Sequence, residues 1–369
     1  MTVTDFQQKR LRCLAILPAP ATDAHGGDEI VYRRSLAYLE RTMDVETCHI
    51  RSVGKLRRMA GILGGNPPEA TRYISRGNRR LVAERLAAGG VDVVILCNEV
   101  TFPMLPSVKR AGVPVVLSAH NVHSIVAATD PSRLARMLRP CAVAFERRWY
   151  ADPYATLVLI SQGDRIGLEA AGIRRQPVWI SPPGVPPVVD LPAHATLLRE
   201  AVITGSYGWW RKRRDLTDFC QPPGLGVPIF ASDDNALAIL GDEAEDLRTQ
   251  PDFSWSAGVR YGLITDAFLG GFKLKSLEYV AKNCILLSRS DIALEFAGLP
   301  HAEEFVRITP TKADMIATIR EISAQPEAAT IERFRLFKQA CVERYDWDRC
   351  LAPFADAVRA AAESLPAHR

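Results

Sequence analysis

No apolar run in the 369 residues approaches the roughly 18 consecutive positions that a membrane-spanning helix needs. The opening MTVTDFQQKRLR has no apolar segment followed by a small-residue cleavage site, so secretion is not expected. Eight cysteines, at 13, 48, 97, 141, 220, 284, 341 and 350, include no C-x-x-C pair and no dense framework. Zinc ribbons and disulfide scaffolds are thereby excluded, and the thiols read as buried or free in a reducing compartment. A G-x-G-x-x-G fingerprint is absent, which disfavours a nicotinamide enzyme. Internal repeats and low-complexity segments are absent as well.

What is present suits a globular chain of two domains: 47% hydrophobic and 24% charged residues. Short β-rich runs alternate with helical patterns, which predicts α/β architecture with parallel sheets. Strands are expected at Cys13–Leu17, Val45–Ile50, Val91–Cys97, Val115–Ser118, Thr156–Ser161 and Val178–Ile180. Between them helices are expected near 28–41, 69–88, 103–111, 131–151 and 163–171. The proline-rich SPPGVPPVVDLP at 181–192 interrupts both periodicities. After it the pattern restarts with strands at Ala201–Thr204, Val227–Ala231 and Cys284–Ser288 and helices near 235–244 and 273–282. The domains are therefore set at 1–185 and 186–345, with a helical segment at 346–369. Charge is uneven: 25 Lys/Arg against 16 Asp/Glu in residues 1–185, and 21 against 26 afterwards. The halves are expected to face different partners.

Loops after strands carry the chemistry in such sheets. The first contains Gly26 and Gly27, which permit close backbone approach, and Asp28, which suits a helix start; a plain turn explains it equally. After Val115–Ser118 come His120, Asn121 and His123, a hydrogen-bonding surface or imidazoles that satisfy loop backbone. In Gly270-Gly271-Phe272-Lys273-Leu274-Lys275-Ser276-Leu277-Glu278 a glycine pair opens a helix with a basic first turn. Helix-start amides with Lys273 and Lys275 suit a diphosphate, and Glu278 suits a ribose hydroxyl pair. The alternative is a Lys275–Glu278 surface pair over an apolar stripe. Ser206 opens a loop ending in Trp209, Trp210, Arg211, Lys212, Arg213 and Arg214. These cations suit phosphate, nucleic acid or a membrane face, or form a solvated helix start.

Taken together, these segments resemble the group 1 (family 4-like) retaining glycosyltransferases of the GT-B fold. Gly271–Ala281 is similar to a hybrid of that family's E-G-F-G-L-P-x-x-E-A and S-K-x-x-E-Y-x-A motifs. The passage from Phe145 through Asp152 to Ser161, and Ile180–Val185, resemble its helix-then-strand segment and its I-P-N-G-V linker entry. Ala201–Trp210 resembles the V-G-S-x-x-W opening of the second domain, and Tyr345–Trp347 the start of the terminal helices. Gly270 departs from the motif, which has its first carboxylate there.

The resemblance implies two Rossmann-like domains facing each other across a cleft, with C-terminal helices packing back toward the N-terminal domain. It implies donor binding by Gly26, Gly27, Ser206, Arg211, Lys212, Gly271, Phe272, Lys273, Lys275 and Glu278. His120 is the implied catalytic residue, with Asn121 and His123 on the acceptor side. The activity implied is sugar transfer from a nucleoside diphosphate sugar to a lipid-linked or polysaccharide acceptor, retaining and metal-independent, with no cofactor. Two alternatives stand beside it: a degenerate subunit that binds nucleotide or a partner glycosyltransferase, and a nucleotide-sugar 2-epimerase. Asp346 and Asp348 match the D-x-D metal signature superficially, and helix capping is the expected reading.

Between 51 and 80, Arg51, Lys55, Arg57, Arg58, Arg72, Arg76, Arg79 and Arg80 face one acid, Glu69. Leu56, Met59, Ala60, Ile62 and Leu63 interleave with the cations, a combination suited to an anionic membrane surface or simply a solvated basic face. Aromatic interleaving is poor there, so nucleic acid is not an expected partner. The expected location is cytoplasmic, or peripheral on the inner face of a membrane.

Overall fold

The computed structural model describes residues 10–19, 27–63, 66–68, 70–175 and 177–364. Two compact units share the chain. One contains the residues up to Ser124, Met137–Pro182 and those from Leu351 onward; the other contains Ile125–Arg136 and Pro183–Cys350.

In the first unit, strands β1 (Arg12–Pro18), β2 (Asp44–Ile50), β3 (Val93–Cys97), β4 (Val115–Ala119), β5 (Ala155–Leu159) and β6 (Val178–Ile180) form a parallel sheet. Their order is β2-β1-β3-β4-β5-β6. The central strands β3 (VVILC) and β4 (VVLSA) are buried at every position, as expected of strands covered on both faces. The helices along this part of the chain are α1 (Gly27–Leu39), α2 (Lys55–Leu63), α3 (Arg76–Ala87), α4 (Leu105–Arg110), α5 (His123–Thr129), α6 (Arg133–Trp149) and α7 (Gln162–Ala170), with residues 125–136 of α5 and α6 belonging to the second unit. The helix expected over 69–88 is divided: a 3-10 turn covers Ala70–Tyr73, and α3 restarts where Ser75 Oγ accepts the Asn78 amide at 3.0 Å.

The second unit holds β7 (Thr196–Ile203), β8 (Ile229–Ala231), β9 (Ala244–Asp246), β10 (Gly258–Ile264), β11 (Cys284–Ser288) and β12 (Val306–Ile308), all parallel, in the order β12-β11-β10-β7-β8-β9. Its helices are α8 (Trp210–Phe219), α9 (Asp234–Leu240), α10 (Leu274–Ala281), α11 (Ala293–Phe296), α12 (Ala302–Phe305), α13 (Lys312–Ser323) and α14 (Glu327–Arg344), followed by α15 (Trp347–Glu363). Phe354, Ala355, Ala357, Val358 and Ala361 of α15 join Cys13, Leu36, Leu39 and Val93 in the core of the first unit. Phe354 alone contributes about 1.5–3 kcal/mol by burial.

Strand β10, GVRYGLI, is central and wholly buried, yet the sequence pattern does not announce it. Its Arg260 is 1% exposed, lies over the Phe253 ring at 4.3 Å and pairs with Glu200 at 3.2 Å. A Cβ on Gly258 would stand 2.3 Å from the Thr196 carbonyl oxygen, and one on Gly262 would stand 2.5 Å from the Tyr279 ring. Close packing therefore demands glycine at both positions, and the apolar run is broken.

The proline-rich segment is pinned along the second unit. The Val185 amide donates to the Tyr345 carbonyl at 2.8 Å, the Val189 amide to the Ala281 carbonyl at 3.0 Å, and Arg335 to the Leu191 carbonyl at 2.7 Å. Asp346 Oδ1 accepts the amides of Asp348 and Arg349 at 3.0 and 3.1 Å, so it caps α15. Both sheets reverse their strand order at one point, between β1 and β3 and between β7 and β10. Ligands in open α/β sheets bind beyond the carboxyl ends of strands at such points.

Candidate functional site

In the first unit, the chain leaving β3 enters Asn98 at φ 73°. An asparagine tolerates this left-handed backbone better than most residues. Its side-chain amide donates to Asp28 Oδ2 at 3.0 Å, at the start of α1. Asp28 Oδ1 lies 3.8 Å from Nδ1 of His120, which is 1% exposed. Among the described residues neither imidazole nitrogen of His120 finds a hydrogen bond.

Glu99, which no sequence motif marks, organises the loop. It is buried, and its carboxylate accepts the His120 amide and the Asn121 side chain, each at 3.2 Å. His123 Nε2 is 3.6 Å from the same carboxylate. Asn121 also receives, at its carbonyl, the Tyr150 hydroxyl at 2.7 Å. Buried Glu146 accepts the Ser124 amide at 2.8 Å. Burial pushes its carboxyl above the usual range, against the opposing pull of Ser124 and His123. Gly27 begins α1, while Gly26 lies outside the described residues.

In the second unit the reversal point gathers Thr204–Tyr207 after β7 and Thr265–Ala267 after β10. Tyr279 of α10 reaches across: its hydroxyl accepts the Thr204 amide at 2.8 Å and donates to the Leu263 carbonyl at 3.1 Å. Lys275 Nζ donates to the Tyr207 hydroxyl at 3.1 Å, which meets Thr265 Oγ1 at 3.1 Å. Lys273 Nζ pairs with Asp266 at 3.1 Å, with side-chain exposures of 9% and 2%. Burial alone would raise the Asp266 carboxyl, but Lys273, Lys275 and Lys212 hold it well below the ordinary range. Burial pulls Lys273 below its ordinary value, opposed by Asp266 and reinforced by Lys212 and Lys275. The charges of three ammonium groups thus act on one carboxylate, which Lys273 alone contacts. That excess suits an anion.

Several sequence expectations are corrected. Arg211 is no free cation: it is buried, with Nε 2.7 Å from Asp130, and Arg214 grips the other oxygen of Asp130 at 2.7 Å. Arg214 also pairs with Asp215 at 2.6 Å, and Asp215 accepts the Ala267 amide at 2.7 Å. These arginines fasten residues 125–136 to the loop after β10. The alternative Lys275–Glu278 surface pair does not form, because Lys275 is buried on Tyr207; Glu278 pairs instead with Lys282 at 2.7 Å. Phe272 is a core ring, 5.4 Å from Tyr345. Gly271 takes φ 56°, and exposed Ser206 accepts the Gly208 amide at 3.3 Å. Lys212 is half-buried. Asp266 carried no signal in sequence beyond following β10, which was itself unannounced. Among the described residues no cluster of three His, Cys, Asp or Glu is arranged to hold a metal.

Two units, each a parallel six-stranded sheet wrapped by helices, define the GT-B class of fold. Solved structures of this class resemble the chain along nearly its whole length. Anabaena HepE in complex with UDP matches with a TM-score of 0.60 at 12% identity, covering 95% of this chain and 100% of that one. An α,α-trehalose-phosphate synthase (UDP-forming) from Burkholderia vietnamiensis matches with 0.60 at 14%, covering 97% and 100%. The lipopolysaccharide outer core galactosyltransferase WaaB, in its apo form, matches with 0.57 at 15%, covering 95% and 99%. Identities this low establish the fold. No protein-family model matches the chain, and no curated protein matches it in sequence.

Proposed function

We propose that the chain is a glycosyltransferase that moves a sugar from a nucleoside diphosphate donor to a glycolipid or polysaccharide acceptor. The observation that carries this reading is the pair of buried lysines at the reversal point of the second sheet, Lys273 on Asp266 and Lys275 on Tyr207. Departure of a diphosphate leaves negative charge, and fixed cations in a dry site stabilise it most as it develops. The UDP and UDP-glucose complexes of HepE support uridine as the first base to test.

In this reading Lys212, Lys273 and Lys275, with Ser206 and Gly271, hold the diphosphate, and Glu278 receives the ribose hydroxyls. His120 faces the transferred sugar, Gly27 borders the donor, and Asn121 and His123 lie on the acceptor side. The reaction is retaining and needs no metal. The bond from the anomeric carbon to the diphosphate breaks, the acceptor oxygen bonds the same face, and its proton goes to the departing phosphate oxygen. The work is done at the inner face of a membrane, where a lipid-linked acceptor is presented.

A thermal-shift panel of uridine, guanosine, adenosine and thymidine diphosphates tests the donor site. One of them should raise Tm at concentrations well above its Kd; no shift and no calorimetric binding with any of the four overturns the reading. With donor and acceptor, product of the donor's own anomeric configuration is expected, undiminished by EDTA. Gly270 favours a second reading, a subunit that binds nucleotide without turnover. Nucleotide binding with neither transfer nor donor hydrolysis selects it.

A further inference from the structure

Helix α2 has no buried residue, and its exposure is concentrated on one side. Leu56 is 84%, Met59 61% and Leu63 88% exposed. At about 100° per residue, Leu56, Met59, Ala60 and Leu63 share a face about 100° wide, with Lys55 and Arg57 about 100° to either side of Leu56. The opposite side holds the helix to the unit. There Arg58 Nε donates to the Val53 carbonyl at 3.1 Å, and a Cβ on Gly61 would stand 2.7 Å from the Thr71 methyl. An apolar stripe flanked by cations, on a helix fastened by its back, is the geometry of a side chain set that inserts shallowly while its charges stay at phosphate level.

The surroundings have matching charge. Arg51, Arg72 and Arg76 are exposed, Arg51 lining one groove with Lys55 and Arg57. That groove, of about 670 Å³, runs from Arg51, Lys55 and Arg57 to Ser75 at the start of α3 and Leu81 within it. We propose that α2 is a membrane anchor: Leu56, Met59 and Leu63 enter the headgroup layer of an anionic bilayer, and Lys55, Arg57 and Arg51 take its phosphates. This deepens the glycosyltransferase reading by naming the surface on which the acceptor is met.

The test is co-sedimentation of the full chain, without nucleotide, with vesicles of phosphatidylcholine containing phosphatidylglycerol. The chain should pellet at low salt and be released by added salt or by omission of phosphatidylglycerol. Lys55→Glu with Arg57→Glu should lower the partition constant at least about fivefold per cation lost. Leu56→Ser with Leu63→Ser should lower it as well, while both variants keep the wild-type melt and nucleotide binding. Hydrogen exchange of the wild-type chain should show vesicle-dependent protection over 55–63. A wild-type chain that stays in the supernatant at low salt, unchanged exchange over 55–63, or binding to single-stranded DNA without binding to vesicles overturns the proposal. Because no donor is present, those failures leave glycosyl transfer untouched.

Discussion

Lys275 donates its ammonium proton to the Tyr207 phenol oxygen at 3.1 Å, and the same phenol shares a hydrogen bond with Thr265 Oγ1, also 3.1 Å away. The tip of α10's first turn is thereby tied to the loops after both β7 and β10. Lys275→Ala should weaken nucleoside diphosphate binding by about 1.5–3 kcal/mol, the scale of a hydrogen bond to a charged group. Tyr207→Phe, which leaves the ammonium in place, should cost about 0.5–1.5 kcal/mol. Calorimetry on the two variants reads the difference.

Glu278 and Lys282 form a half-buried i,i+4 pair at 2.7 Å. Such pairs contribute about 1 kcal/mol or less, so Lys282→Ala should barely move Tm. Glu278→Ala should weaken binding of a nucleoside diphosphate by about 1.5–3 kcal/mol and leave inorganic pyrophosphate binding unchanged. Equal loss for both ligands assigns Glu278 to the phosphates rather than the ribose.

His120→Ala should reduce kcat far more than it reduces donor affinity, because a group facing the reacting sugar matters most in the transition state. Asp28→Asn keeps the bulk beside Nδ1 while removing the charge 3.8 Å away, and should move kcat in the same direction by less. Steady-state kinetics beside donor titration separates the two effects; parallel loss in both makes His120 a binding residue.

Asp130 is 2% exposed and serves two arginines at 2.7 Å each. Removing one member of a buried charge cluster is strongly destabilising, so Asp130→Asn should cost about 3–5 kcal/mol in denaturant unfolding. Burial would raise this carboxyl, but Ser132, Arg214 and Arg211 together lower it below its ordinary 3.8. Its stabilisation is therefore present above that ordinary value and lost as pH falls through the lower folded one. The acid limb of the wild-type stability curve should flatten in the variant.

Burial draws Lys273 below the ordinary lysine value of 10.5. A bound diphosphate favours its charged form, so affinity should fall as pH rises through the depressed value, and binding there should take up protons. Calorimetry in buffers of different ionisation enthalpy counts them. Lys273→Arg, which does not deprotonate in this range, should flatten the profile.

Much of the architecture was legible because short β-branched apolar runs such as VDVVILC and TLVLIS suit parallel strands covered on both faces. Strand β10 was not, since Arg260 and two glycines disguise it. The sites followed the same division. Lys273 and Lys275 stood out as cations where a helix start prefers acids. Their counter-charge Asp266, at the end of the hidden strand, was beyond reach, as was Glu99, whose three partners come from a different strand's loop. Arg211 looked available because Asp130, more than eighty residues away, carried no mark of its destination.

The Tyr279 ring occupies the space that a side chain at position 262 would fill, and its hydroxyl bonds the Thr204 amide and the Leu263 carbonyl. The loop after β7 and the end of β10 are thus joined from behind by one aromatic side chain. For the proposed diphosphate donor, the ordering cost that weakens association is smaller to the extent that this frame is set during folding. Selectivity for that donor would then depend on how well its width matches the gap that Tyr279 sets between β7 and β10.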